Sequence, residues 1–167
     1  MTPREHEPME LGRRLPSLGP RGEGWLLGQI LLFVIIIVAP VDAWSDSLAA
    51  MAQTYGNALV VLGLIVIALG GIALRGNLTP FPQPRRGGEL VESGLYRWIR
   101  HPIYAGLMIV AVGASLVRAS TIALLVSAIL VVFLDLKARR EETLLLDRFP
   151  EYAAYRRRTR RFVPGLY

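Results

Sequence analysis

Four long runs without a charged side chain dominate this sequence: Trp25 to Val41, Ala58 to Leu74, Pro102 to Val117 and Ala119 to Leu134. Each lies near the roughly 17-residue lower limit for a helix that crosses a bilayer. Composition agrees, with 53% hydrophobic residues in a chain of 167 and a mean hydropathy of +0.41, well above soluble norms. The last two runs are separated only by Arg118. One unbroken helix from Pro102 to Leu134 would be roughly 50 Å long, against a hydrocarbon core of about 30 Å. The expected fold class is therefore all-α: a polytopic membrane protein of about four transmembrane helices, the third and fourth forming a tight hairpin around Arg118.

Basic residues set the expected topology. Arg4, Arg13, Arg14 and Arg21 precede the first run, Arg75, Arg85, Arg86, Arg97 and Arg100 lie between the second and third, and Lys137 and many arginines through Arg161 follow the fourth. Arg118 is left for the opposite face. The positive-inside rule then places both termini and the central connection in the cytoplasm. The net charge of +6 gathers on one membrane face, where it attracts anionic lipids. With these spans present, the basic balance does not indicate nucleic-acid binding.

The chain contains no cysteine, which excludes disulfide frameworks, thiolate catalysis and cysteine-based metal sites. Its two histidines, His6 and His101, argue against a dedicated metal site. Val41-Asp42-Ala43 loosely fits a signal-peptide cleavage pattern, but the preceding apolar run is long for a signal. Arg13-Arg14 followed by Leu15-Pro16 is a poor twin-arginine signal.

Residues 1–23 mix Pro, Gly, Arg and Glu without periodicity and read as a flexible cytoplasmic tail. Residues 24–167 read as a single membrane domain. Asp42 to Gln53 reads as a short polar connection, with Trp44 and Tyr55 suited to the interface. Gly63, Gly70 and Gly71 would permit close helix packing, although the spacing is not a strict GxxxG. In the central connection, Pro80, Pro82 and Pro84 alternate with other residues and favour a stiff, extended path. Such a segment would serve equally as the cover of a pocket or as a rigid spacer.

The cytoplasmic mouth of the third run carries Gly94-Leu95-Tyr96-Arg97-Trp98-Ile99-Arg100-His101-Pro102-Ile103-Tyr104. Ionisable groups there snorkel, pair or meet a ligand. Pro102 suits the first helical position, placing His101 at the helix entrance and Tyr104 in its first turn, where free amides favour an anionic group. A plain structural alternative is that His101 caps the helix and Arg100 touches lipid phosphate. The fourth run continues as a helix through Glu141 and Glu142 until Pro150 stops it. Because the hairpin returns to the same face, His101 can meet these glutamates. Adjacent glutamates point about 100° apart on a helix, so one can face a pocket while the other pairs with arginine. The C-terminal segment combines Tyr152, Tyr155, Arg156, Arg157, Arg158, Arg160, Arg161 and Phe162, which suits an interfacial segment that binds headgroups or closes over a pocket.

Taken together, Leu90-Val91-Glu92-Ser93-Gly94-Leu95-Tyr96 leading into Arg100-His101-Pro102-Ile103-Tyr104, then a helical hairpin, Glu141-Glu142, Phe149-Pro150-Glu151-Tyr152 and Arg161-Phe162-Val163-Pro164, resemble the isoprenylcysteine carboxyl methyltransferase family and its phospholipid methyltransferase relatives. The resemblance covers about Leu90 to Pro164, and the first two runs share only hydropathy with it. It implies an integral-membrane enzyme that uses S-adenosylmethionine without a Rossmann domain, consistent with the lack of a GxGxxG motif after a candidate strand. By the same resemblance, the cofactor-binding part is about residues 88–164. His101 and Tyr104 would hold the methionine or ribose portion, Arg100 would suit its carboxylate, and Pro102 would shape the turn. Glu141 or Glu142 would engage the ribose or amine, Gly94 and Tyr96 would line the cavity, and backbone near Leu90 and Val91 would reach the adenine.

The implied acceptor is lipophilic and enters from the bilayer, as a prenylated cysteine, a phospholipid amine or a small isoprenoid acid. An ionised acceptor needs alignment and dryness rather than a base, whereas an amine must lose a proton, for which His101, Glu141 and Glu142 are the catalytic candidates. Arg156, Arg157, Arg160 or Arg161 would orient an acceptor carboxylate or phosphate, while most of these arginines are expected to anchor the chain to lipid headgroups. Two other classes remain open: an NADPH-dependent reductase related to sterol reductases and a non-catalytic membrane adaptor.

Overall fold

The computed structural model describes residues 12–83 and 87–165. Arg4, His6, Pro84, Arg85 and Arg86 lie outside the described residues. The elements are helical: α1 (Glu23–Val38), α2 (Asp46–Leu74), a short 3-10 turn (Arg75–Asn77), a second one (Gly94–Arg97), α3 (Pro102–Val117), α4 (Thr121–Arg148) and α5 (Tyr152–Arg158). No strand occurs among the described residues; one isolated parallel bridge joins Ile99 to Arg160. Helices α2, extended by its 3-10 turn to Asn77, and α4 are long and apolar enough to cross a membrane, while α1 and α3 are shorter apolar helices.

Element ends follow local chemistry. The first helix stops at Val38, short of the end of its apolar run, because Ala39 precedes Pro40 and takes the extended conformation that a following proline imposes. Helix α2 begins well before its apolar run. The expected polar connection Asp42 to Gln53 is therefore mostly helix: the Ser45 side chain accepts from the Leu48 amide and caps the good helix formers that follow. At the hairpin, Arg118, Ala119 and Ser120 make the turn, and Ser120 caps α4 through the Ala123 amide. Pro102 occupies the first turn of α3, with His101 at the cap position.

The helices pack inside out relative to a soluble bundle. Buried residues of α2 are Ala52, Gly56, Gly63 and Gly70, three glycines seven apart on one face. That face meets α3 running the other way. A Cβ on Gly63 would lie 2.7 Å from the Gly106 carbonyl oxygen, and one on Gly56 2.7 Å from that of Gly113. Small residues allow this backbone approach, as in membrane helix pairs. The outward faces carry exposed Leu27, Leu31, Val61, Ile65, Ile72, Leu125 and Val132, an aliphatic belt far larger than soluble monomers show. Between α1, α3 and α4 the core is Ile36, Ala111, Ala123, Leu130 and Leu134.

The bundle has two chemically distinct ends. At one, the Arg118 guanidinium donates to the Ala39 carbonyl (2.6 Å), and Asp42 accepts from the Thr121 amide. At the other gather the start of α1, the central connection, the entrance of α3, the end of α4 and α5. Residues of the expected tail join this end: Arg13 pairs with Asp147 at 3.2 Å, and Trp25 donates from Nε1 to the Pro16 carbonyl.

Candidate functional site

The entrance of α3 and the C-terminal segment are tied together through backbone. Arg160 N donates to Trp98 O (3.0 Å), Arg100 N to Arg160 O (2.8 Å) and His101 N to Arg161 O (3.0 Å). This strap brings Arg161 and Arg100 to the buried Glu142 on α4, 41 residues beyond His101. Glu142 Oε1 accepts from Arg100 Nε (2.9 Å), Arg161 Nε (3.1 Å) and His101 Nε2 (3.3 Å), and Arg156 Nε lies 3.6 Å from Oε2. Arg161 also pairs with Asp135 at 2.8 Å. Arg100 donates further to the carbonyls of Arg156 and Thr159. A carboxylate accepts only, so in this contact Nε2 of His101 is the donor.

Glu141 points elsewhere. Its Oε2 accepts from the Tyr104 hydroxyl at 2.8 Å and lies 3.8 Å from His101 Nδ1. The His101 and Tyr104 rings stack, 5.3 Å apart and 5° from parallel. These groups face a cavity of about 320 Å³. Apolar Leu74, Ile103, Leu107, Leu145 and Phe149 make up much of its wall, and residues 77–80 and 88–91 of the central connection line it as well. The alternative left open for the proline segment is thus decided for Pro80, which lines the cavity.

Of the residues singled out from sequence, Leu90, Val91, Tyr96, Arg100, His101, Tyr104 and Glu141 line this cavity. Glu142 does not: it is the buried hub behind the wall. Pro102 is buried at the start of α3, and Gly94 borders a separate outer groove with Leu69 and Ile72. Arg157 is exposed on α5 and is not among the lining residues. The His101 side chain makes no capping bond, so the plain capping alternative does not describe it.

Burial, reinforced by the nearby Glu141 carboxylate, pushes the Tyr96 phenol up from its ordinary value. Burial does the same to Tyr152 and Tyr155. Tyr155 donates to the Tyr96 carbonyl at 2.7 Å, while the buried Tyr152 hydroxyl has no partner among the described residues. Sequence reasoning overlooked Gln29, Asn77, Lys137 and Tyr152 as cavity residues. Lys137 had a legible signal, since it sits one helical turn before Glu141 and therefore on the same face.

The chain is 28% identical over 141 residues to the nickel-cobalt-cadmium resistance protein NccN of Alcaligenes xylosoxydans xylosoxydans, an alignment covering 82% of this chain and 62% of that protein. It is 33% identical over 112 residues to the cobalt-zinc-cadmium resistance protein CzcN of Cupriavidus metallidurans, covering 65% of this chain and 50% of that protein. The chain thus spans between half and two thirds of the length of these curated relatives. The isoprenylcysteine carboxyl methyltransferase (ICMT) family profile matches residues 58–147, from α2 through the hairpin and the paired glutamates. That match takes in just over half of the sequence, and the chain belongs to the isoprenylcysteine carboxyl methyltransferase family.

Proposed function

We propose that this membrane protein is a methyltransferase that moves a methyl group from S-adenosylmethionine to a lipophilic acceptor, an isoprenylcysteine-type carboxylate or a lipid amine, at the cytoplasmic face. The observation that carries the reading is the cavity wall of His101, Tyr104 and Glu141. It supplies a carboxylate and stacked aromatic faces, chemistry that suits a cationic sulfonium. Lys137, Arg100 and the unpartnered Tyr152 hydroxyl add donors for a carboxylate or ribose, and the apolar wall suits an adenine. On these grounds the residues present fit the cofactor.

When bound, the cofactor supplies an electrophilic methyl group. The protein's own part is alignment and exclusion of water. Tyr104 holds Glu141 in place, Glu142 holds the His101 ring, and His101 Nδ1 faces the Glu141 carboxylate at 3.8 Å. An acceptor carboxylate arrives ionised and requires no base. For an amine, Glu141 or His101 would take the proton.

In this reading all four apolar helices lie in the bilayer, with both termini and the cavity cytoplasmic and with residues 24–167 acting as one unit. Support comes from the lipid-facing aliphatic belt and from the basic residues clustered at the cavity end. The relatives are named for metal resistance. Among the described residues no group of three or more His, Asp or Glu side chains forms a metal-ligand cluster.

The experiment is transfer of labelled methyl groups from S-adenosylmethionine into a total membrane lipid extract by the purified full chain. A base-labile labelled ester is expected for a carboxylate acceptor and a base-stable product for an amine. Folded wild-type protein that neither binds S-adenosylmethionine nor labels any acceptor would refute the reading.

A further inference from the structure

Lys137 occupies an unusual position for a lysine. Its residue is 1% exposed, it lies on α4 just past the apolar run, and it lines the cavity. Its ammonium donates to Gln29 Oε1 at 2.7 Å and to the Pro80 carbonyl at 3.1 Å, and it sits 5.2 Å from the Tyr104 ring centroid. All three partners are neutral. Among the described residues no carboxylate comes within the 4.0 Å ion-pair distance of Nζ, whereas the cations on the far side of the wall share Glu142 and Asp135.

The Glu141 carboxylate attracts this ammonium from beyond that distance, but a buried ammonium with no anion in contact is costly and ordinarily finds one. Lysine has three donors, and two are used here. Glu141, one turn further along the same helix, already accepts from Tyr104 and leaves the cavity with charge of both signs.

Resting on the methyltransferase reading, we propose that Lys137 is a binding residue for a carboxylate that enters this cavity, with Gln29 and Pro80 holding the ammonium in place. The carboxylate belongs either to the amino-acid end of the cofactor or to an acid acceptor. In the first case Glu141 is positioned for the accompanying amine. In the second, Lys137 determines that acids are preferred to their neutral analogues.

Two matched pairs of probes separate these sources, with affinities measured on the purified full chain in detergent. One pair is S-adenosylhomocysteine and its decarboxylated analogue; the other is N-acetyl-S-farnesylcysteine and its methyl ester. Wild type should prefer the carboxylate-bearing member of one pair on the order of tenfold to a hundredfold, the range of a charge-assisted hydrogen bond. Lys137→Met should bring that ratio close to one, and the affected pair identifies the source. Loss of packing alone would weaken both members of a pair equally and leave the ratio intact. Lys137→Gln, which keeps a donor between Gln29 and Pro80, should also abolish the preference and serves if the methionine variant does not fold. An unchanged ratio in both pairs, or a wild type with no preference for the acid in either, overturns the assignment. Failure of folded wild type to bind either pair overturns the cofactor reading with it, whereas tight S-adenosylhomocysteine binding with the ratio unchanged in both pairs removes Lys137 alone.

Discussion

Exchanging each of the paired glutamates for glutamine separates architecture from chemistry at this site. Glu142 is 3% exposed and gathers Arg100, Arg161 and His101 at 2.9–3.3 Å, with Arg156 at 3.6 Å. Glutamine has one acceptor oxygen, and its amide would point donors at guanidinium groups that are themselves donors only. Breaking a buried ion pair from one side costs about 3–5 kcal/mol. For a protein of this size each kcal/mol is worth about 2–4 °C, so Glu142→Gln should lower the melting temperature by roughly 6–20 °C. Glu141 keeps one main contact, the Tyr104 hydroxyl, so Glu141→Gln should cost about 1 kcal/mol or less while impairing cofactor binding. The assay is apparent melting temperature in detergent alongside S-adenosylhomocysteine affinity. If Glu142→Gln melts with wild type, or if Glu141→Gln is the less stable of the two, the division into hub and cavity wall is refuted.

The glycine face gives a second contrast. Gly63→Ala places a Cβ 2.7 Å from a backbone oxygen and should destabilise by about 1–3 kcal/mol, whereas Gly71→Ala, with nothing within 4 Å of its Cβ, should stabilise by about 0.5–1 kcal/mol; thermal melts of the two variants check this. Tyr96, Tyr152 and Tyr155 have folded pKa values raised by burial. Their contribution is fully present below the unfolded phenol value of about 10 and is lost as pH rises toward the folded values, so melts should be unaffected by these groups below that pH and fall above it, with phenolate absorbance appearing as the protein unfolds. Tyr155→Phe removes the bond to the Tyr96 carbonyl and should cost about 1 kcal/mol, read from the same melts. Arg157→Ala, on an exposed face of α5, should leave both the melting temperature and cofactor affinity within error of wild type.

Much of the architecture was legible because it follows from local rules. Uncharged runs become helices, Pro102 opens α3, Pro150 follows the end of α4, and Arg118 lies in the hairpin turn. The return of the hairpin to one end was enough to predict that His101 meets the paired glutamates. The helical part of Asp42 to Gln53 was not legible from hydropathy, since polarity masks a well-capped start. The glycine register was also missed: Gly56, Gly63 and Gly70 repeat every seven residues, but only contact with Gly106 and Gly113 gives that spacing meaning.

By itself, the sequence determined the helical, membrane-seeking character of the chain and part of the residue set that lines its site, because periodicity, hydropathy and proline act over a few residues; Gln29, Asn77, Lys137 and Tyr152 join it only through the fold. Only the tertiary structure decided which glutamate does what. Neighbours 100° apart on one helix become a structural hub and a cavity wall solely through what packs against each face, and here the strap from Trp98 to Arg161 brings three arginines to Glu142 and leaves Glu141, with Lys137 one turn below it, facing the cavity.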